Sequence, residues 1–124
     1  MIVDSSVLVD HLRGDETATQ ALSKMLLRGR VRAPTLVAWG LWKGANTPQR
    51  RESVAQLLAA LDPDPFMPAM AQLAGDLTIL HDARGMRRPV VDVLIASHAI
   101  HHGVPLATRD RDYSWIEGLD VIVV

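Results

Sequence analysis

Apolar and polar positions along this chain fall into short runs separated by longer periodic stretches. Met1-Ile2-Val3 is an apolar run that meets an acid, Asp4, and then passes through Ser5 and Ser6 into an apolar stretch ending at Leu12. That pattern predicts strand, turn and helix, with Ser5 or Ser6 as the cap. From Thr17 to Leu27, the residues Ala18, Ala21, Leu22, Met25 and Leu26 form a helical stripe that Gly29 can end. Val31 to Pro34 reads as a strand, and Thr35 to Ala45 as a strongly apolar helix with Trp39 and Trp42 three residues apart. Pro48 to Leu61 is a further helix with Val54, Leu57, Leu58 and Leu61 on its buried side, and Asp62-Pro63-Asp64-Pro65 stops it. Ala69 to Leu80 is again helical in period. Val90 to His102 opens after Pro89 and closes at Gly103, the proline-first, glycine-last asymmetry of helices. Val104 to Ala107 and Val121 to Val124 are short strands. Strands separated by helices require parallel crossovers, so the expected architecture is α/β, a short parallel sheet sandwiched between helices. No repeat, low-complexity tract or linker interrupts the pattern, and the 124 residues are expected to form a single domain.

Composition narrows the chemistry. Apolar residues make up 48% and charged residues 22%, enough apolar surface to offset chain entropy. There is no cysteine, which removes disulfides and thiolate zinc sites and leaves oxygen or imidazole as metal donors. The lack of disulfides fits a reducing compartment, and a cytoplasmic location is the expectation. No leader-like start or bilayer-length apolar run is present in the sequence, and no membrane association is expected. A net charge of −1 means that a nucleic-acid partner would be attracted by local arginines rather than by the global field.

The acids fall at suggestive places. In an open parallel sheet, ligands gather at the carboxyl ends of the strands. Asp4 ends the first strand, Asp110 follows the strand Val104 to Ala107 by a short turn, and Asp92 lies in the first turn of the helix after Pro89. Each has a structural explanation of its own: Asp92 favours a helix N-terminus through the macrodipole, and Asp110 suits a turn. Asp4, directly after an apolar strand, is poorly explained as solvated surface, and the other two can be brought to it. Clustered carboxylates repel, and a cation among them relieves the repulsion. Oxygen-only ligation points to magnesium or manganese, and such an ion can activate water for attack on phosphorus. Ser5 and Thr108 are accessory candidates, equally suited to be cap or turn residues.

With these motifs in order, the sequence resembles the PIN domains, and within them the VapC toxins of bacterial toxin-antitoxin pairs. The resemblance runs through Met1-Ile2-Val3-Asp4-Ser5-Ser6, Val91-Asp92-Val93-Leu94-Ile95-Ala96 and Pro105-Leu106-Ala107-Thr108-Arg109-Asp110-Arg111-Asp112-Tyr113, nearly the whole chain. It implies a PIN-like fold and a magnesium-dependent or manganese-dependent ribonuclease. It further implies a homodimer held silent by a VapB antitoxin, with RNA as substrate. The metal-binding acids it implies are Asp4, Asp92 and Asp110, with Asp112 as an accessory and Thr108 as the hydroxyl residue of the last motif. One position departs. Leu41 and the pair Gly44-Ala45 match, but Gly40 stands where the family places a glutamate. The expectation is an attenuated nuclease, or a fold that binds antitoxin or RNA without cutting. The rival account of Gly40 is a close helix contact that admits no side chain, since glycine inside a helix costs about 1 kcal/mol.

Several other features weigh less. His98 and His102 have the i, i+4 spacing of helix metal ligands, but His98, His101 and His102 fall off the Asp92 face and are read as solvated or partner-facing. Trp39 and Trp42 read as core residues or as a grip for an antitoxin segment. Arg84, Arg87 and Arg88 precede Asp92, and Arg109 and Arg111 flank Asp110, as either phosphate-holding groups or ion-pair partners of acids. Few tyrosines and phenylalanines leave no broad stacking platform for RNA. A phospho-receiver domain is rejected because its late lysine and paired early acids are missing; the only lysines are Lys24 and Lys43.

Overall fold

The computed structural model describes Met1 to Val124 without a gap. Five strands, β1 (Ile2–Val3), β2 (Arg32–Pro34), β3 (Asp62–Asp64), β4 (Leu106–Thr108) and β5 (Val121–Val123), lie in the order β3-β2-β1-β4-β5, and every neighbouring pair is parallel. Parallel pairing needs long crossovers. These are supplied by α1 (Ser5–Leu12), α2 (Glu16–Arg28), α3 (Thr35–Gly44), α4 (Pro48–Ala59), α5 (Pro68–Ala83) and α6 (Val90–His102). Only the link from β4 to β5 is made by a short 3-10 helix, Arg111–Trp115.

Burial explains why such short strands persist. Successive side chains of a strand point to opposite faces. Ile2 and Val3 are both wholly buried, as are Leu106, Ala107 and Thr108, so helices cover both faces at the sheet's centre. Val7 and Leu8 of α1, Val37 and Leu41 of α3 and Val93 and Ala96 of α6 supply part of that cover. The edge strand β5 is less protected, with Ile122 and Val123 exposed.

The strand order creates a switch point. The chain winds outward from β1 through β2 to β3, and α5 and α6 then carry it back to β4 on the other side of β1. Connections from the neighbours β1 and β4 leave in opposite directions, which opens a crevice at their carboxyl ends. Asp4 and Asp110 follow those ends.

Three sequence expectations need correction. Asp62-Pro63-Asp64 does stop α4, but it also pairs with β2 as the edge strand β3, with Pro34 opposite Asp64. Proline is tolerated there because the outer side of an edge strand needs no N–H donor. Trp39 is 55% exposed with the Lys43 ammonium 4.5 Å from its ring centre and is not a core tryptophan, whereas Trp42 is half-buried, packed against the core with Arg51 over its ring. The histidines also differ from expectation: only His101 is exposed, whereas His98 is buried and His102 half-buried.

Those two histidines close a lock on β3. His98 Nδ1 lies 2.6 Å from Asp64 Oδ2, and His102 Nε2 lies 2.9 Å from Asp64 Oδ1. Arg32 Nη1, which can only donate, is 2.9 Å from His102 Nδ1, so that nitrogen accepts and Nε2 donates to Asp64. A metal ion on Nε2 would put a proton on Nδ1 against the guanidinium, so the arrangement is a polar clasp and not a zinc site. Phe66 packs its ring against His98. Burial pushes the Asp64 carboxyl up, but the hydrogen bonds from His98 and His102 outweigh it and leave its pKa below the ordinary range. A lowered native pKa means the ionised acid favours the fold. The contribution is complete above the unfolded value, about 4, and is lost as pH falls through the native value. Asp64→Ala is expected to cost about 3 kcal/mol at pH 7, measured by urea denaturation, and the gap to the parent is expected to narrow below about pH 4.

Candidate active site

Asp4 occupies the N-cap position of α1, where the extended backbone of β1 turns into the helix. The serines do not cap it: Asp4 itself makes no capping bond, and its carboxylate turns inward to be 4% exposed. Ser6 Oγ donates to Asp4 Oδ2 at 2.8 Å and Thr108 Oγ1 donates to the same oxygen at 2.9 Å. Each hydroxyl accepts in turn from the backbone beyond β4, Ser6 Oγ from Arg109 N and Thr108 Oγ1 from Asp110 N, both at 3.0 Å. The two strand ends are thereby stitched together across their shared edge.

Asp110 is half-buried and caps the 3-10 helix, its Oδ1 accepting from Asp112 N at 2.9 Å. That helix delivers Tyr113, which is buried, with its hydroxyl 3.2 Å from both Asp4 Oδ1 and Asp92 Oδ1. Asp92 comes from the first turn of α6, whose core residues Val93, Ile95 and Ala96 fix the helix against the sheet. Asp4, Asp92 and Asp110 therefore share one cleft of about 390 Å³, lined also by Ser5, Ser6, Asp10, Arg13, Val91 and Tyr113.

Electrostatics show what the cleft lacks. Burial, followed by the charges of Asp4 and Asp110, raises the Asp92 pKa against the opposing pull of the Tyr113 hydrogen bond and of Arg88. Burial and the carboxylates of Asp4 and Asp92 push the Tyr113 phenol far above its ordinary value, so it stays neutral and carries a single proton. One proton cannot satisfy two carboxylates at once. The group thus has surplus negative charge and too few donors, the condition a cation relieves. No three acids or histidines stand close enough to enclose an ion unaided. The donors suit a hard cation that keeps much of its water, as magnesium does, with Asp92 and Asp110 each having an oxygen outside these hydrogen bonds.

The remaining candidates divide. Ser5 and Thr108 are at the cleft or in its supporting network, whereas Asp112 is exposed and its contact with Asp110 is through the backbone. Arg109 is occupied by Asp10 at 2.8 Å and Asp15 at 3.3 Å, and Arg84 by Glu117 at 3.1 Å, so for these two the ion-pair reading prevails. Arg87 and Arg111 are exposed, and Arg88 is half-buried. Gly40 does not line the cleft, and a Cβ built on it meets no heavy atom within 4 Å, which removes the close-contact account. Nothing in the packing explains a glycine there. Ser6 and Tyr113 are the parts of the network that sequence reasoning passed over. The signal for Tyr113 was a lone tyrosine beside the Asp110 motif, since a buried phenol needs a polar partner.

Comparison with known proteins bears on this geometry. The profile of the PIN domain family matches residues 1–119. Ribonuclease VapC10 of Mycobacterium tuberculosis is 33% identical over 108 residues, covering 87% of this chain and 80% of that protein. Ribonuclease VapC4 of the same organism is 30% identical over 81 residues, covering 65% and 62%. Among solved structures, VapBC2 from Rickettsia felis bound to a DNA fragment from their promoter superposes with a TM-score of 0.88 at 19% identity, over 99% of this chain and 97% of that one.

Two outcomes follow from the charge and packing of the site. Asp92→Asn is expected to raise metal-free stability at pH 7 and to shrink the gain from magnesium, which for the parent is about 2.7 kcal/mol at a hundred times the dissociation constant. Thermal unfolding with and without magnesium measures both. Gly40→Ala is expected to stabilise by about 0.5 to 1 kcal/mol, read as a higher urea midpoint with unchanged slope.

Proposed function

Because this chain belongs to the PIN domain family and, within it, to the VapC ribonucleases, we propose that it cleaves RNA by metal-dependent phosphodiester hydrolysis as the toxin of a VapBC-type pair. The observation that supports this reading most is the meeting of Asp4, Asp92 and Asp110 at one cleft around a phenol that cannot serve two carboxylates. Asp92 and Asp110 would hold the ion, with Asp4 beside them fixed by the hydroxyls of Ser6 and Thr108. A magnesium or manganese ion bound there supplies charge neutralisation at the scissile phosphate and a lowered pKa for an attacking water. The protein's own part is to present the carboxylates rigidly and to keep Tyr113 protonated as a donor.

A VapB-type antitoxin and a second copy of the chain are the proposed partners. No helix is long and apolar enough to cross a membrane. Activity is proposed to be weak, because the position of the family's glutamate is Gly40. Its open surroundings would admit the longer side chain without a clash at Cβ. The rival reading is a module that binds without cutting, favoured by the lack of a closed group of three ligands.

Cleavage of a fluorescent single-stranded RNA in magnesium or manganese separates the two. Slow cutting by the parent is expected, abolished in Asp4→Asn and raised at least about tenfold in Gly40→Glu, the scale of one well-placed charge. Gly40→Ala serves as the control for helix stability. No cutting by either the parent or Gly40→Glu would sink the ribonuclease reading.

A further inference from the structure

The acidic cleft is an unwelcoming place for a polyanion. RNA must be brought to the three carboxylates by groups beside them, and two of the nearby arginines are already neutralised by acids. Arg88 is different. Its charge reaches Asp92, it has no carboxylate partner among the salt bridges, and its Nε is buried with no hydrogen-bond acceptor. Its guanidinium carbon instead lies 5.8 Å from the ring centre of Trp115. Trp115 is 63% exposed, an unfavourable setting for a large indole, and stands on the same 3-10 helix as Tyr113, two residues beyond it. A cation against an indole beside a cleft built for phosphate chemistry matches the two recognisable parts of a nucleotide, a flat base and an anionic link.

We propose that Trp115 and Arg88 form a nucleotide clamp at the edge of the cleft, the indole stacking on a base and the guanidinium holding the adjoining phosphate. This rests on the RNA-cleaving reading above and adds to it a single stacking position, which would bias cutting toward phosphates that neighbour an unpaired base. A docked protein is the less fitting occupant. An apolar anchor for a protein partner wants an apolar surround, whereas this one has Arg88 at its face and the exposed Arg87 and Arg111 on the adjoining segments.

The test is fluorescence anisotropy of a short labelled random-sequence RNA, in EDTA to prevent cutting, with inorganic polyphosphate as a competitor that has phosphates and no bases. Trp115→Ala is expected to weaken RNA binding roughly tenfold and leave polyphosphate binding unchanged. Trp115→Phe should retain most of the affinity, and Arg88→Gln should weaken both ligands. Equal RNA affinity in Trp115→Ala and the parent overturns the clamp while leaving the ribonuclease reading intact. So does a loss of RNA and polyphosphate alike, or a loss confined to binding of a VapB-type antitoxin. If the parent itself binds no RNA, the clamp fails, while the ribonuclease reading is decided by the cleavage assay above. An unchanged melting temperature for Trp115→Ala, expected of a mostly exposed side chain, shows that the fold is not the cause of any loss.

Discussion

A buried carboxylate held by hydroxyls alone is the constraint around which this molecule is arranged. Asp4 sits at the junction of the first strand and first helix, and its oxygens face Ser6, Thr108 and Tyr113, none of which carries positive charge. Neutral donors soften the cost of burying an ion without cancelling it. Every one of those donors comes from a segment that the sheet topology must bring to the same edge. Position of the acid and pairing of β1 with β4 are therefore one requirement, and the cleft is the place where that requirement leaves charge unbalanced.

The sheet's central part was legible in the sequence because it is encoded locally. Apolar runs ending in polar residues marked β1 and β4, and the Pro89 to Gly103 frame of α6 reappears with Gly103 closing the helix at a φ of 65°. The α/β architecture followed from the alternation of strand and helix patterns, and the family from the order and spacing of the acid motifs. What was not legible depended on distant partners. Asp62-Pro63-Asp64 has no strand-like pattern of its own and becomes β3 only because β2 offers it a ladder. His98 lies away from the Asp92 face, which suggested solvent, yet Asp64 is waiting on that side.

The candidate site divides along the same line. That Asp4, Asp92 and Asp110 meet at one cleft could be argued from topology, since strand ends and a helix start are forced toward the switch point. The arginines could not be assigned from sequence, because the identity of their partners is a matter of tertiary geometry. Arg109 stands next to Asp110 and yet belongs to Asp10 and Asp15, while Arg88, four residues from Asp92, projects its charge there. Gly40 remains at odds with its surroundings, a flexible residue in mid-helix with room around it.

The shortness of β1 has a further consequence for how this chain can change over generations. Two wholly buried residues, Ile2 and Val3, stand directly before Asp4, so interior and chemistry are separated by a single peptide link. A drift in core volume at Val3 would tilt the carboxylate, and any relocation of the carboxylate would have to drag the core with it. Evolution has no neutral spacer here in which to explore one without disturbing the other. Variation in specificity is thereby displaced outward, to surfaces that do not bear on the first strand.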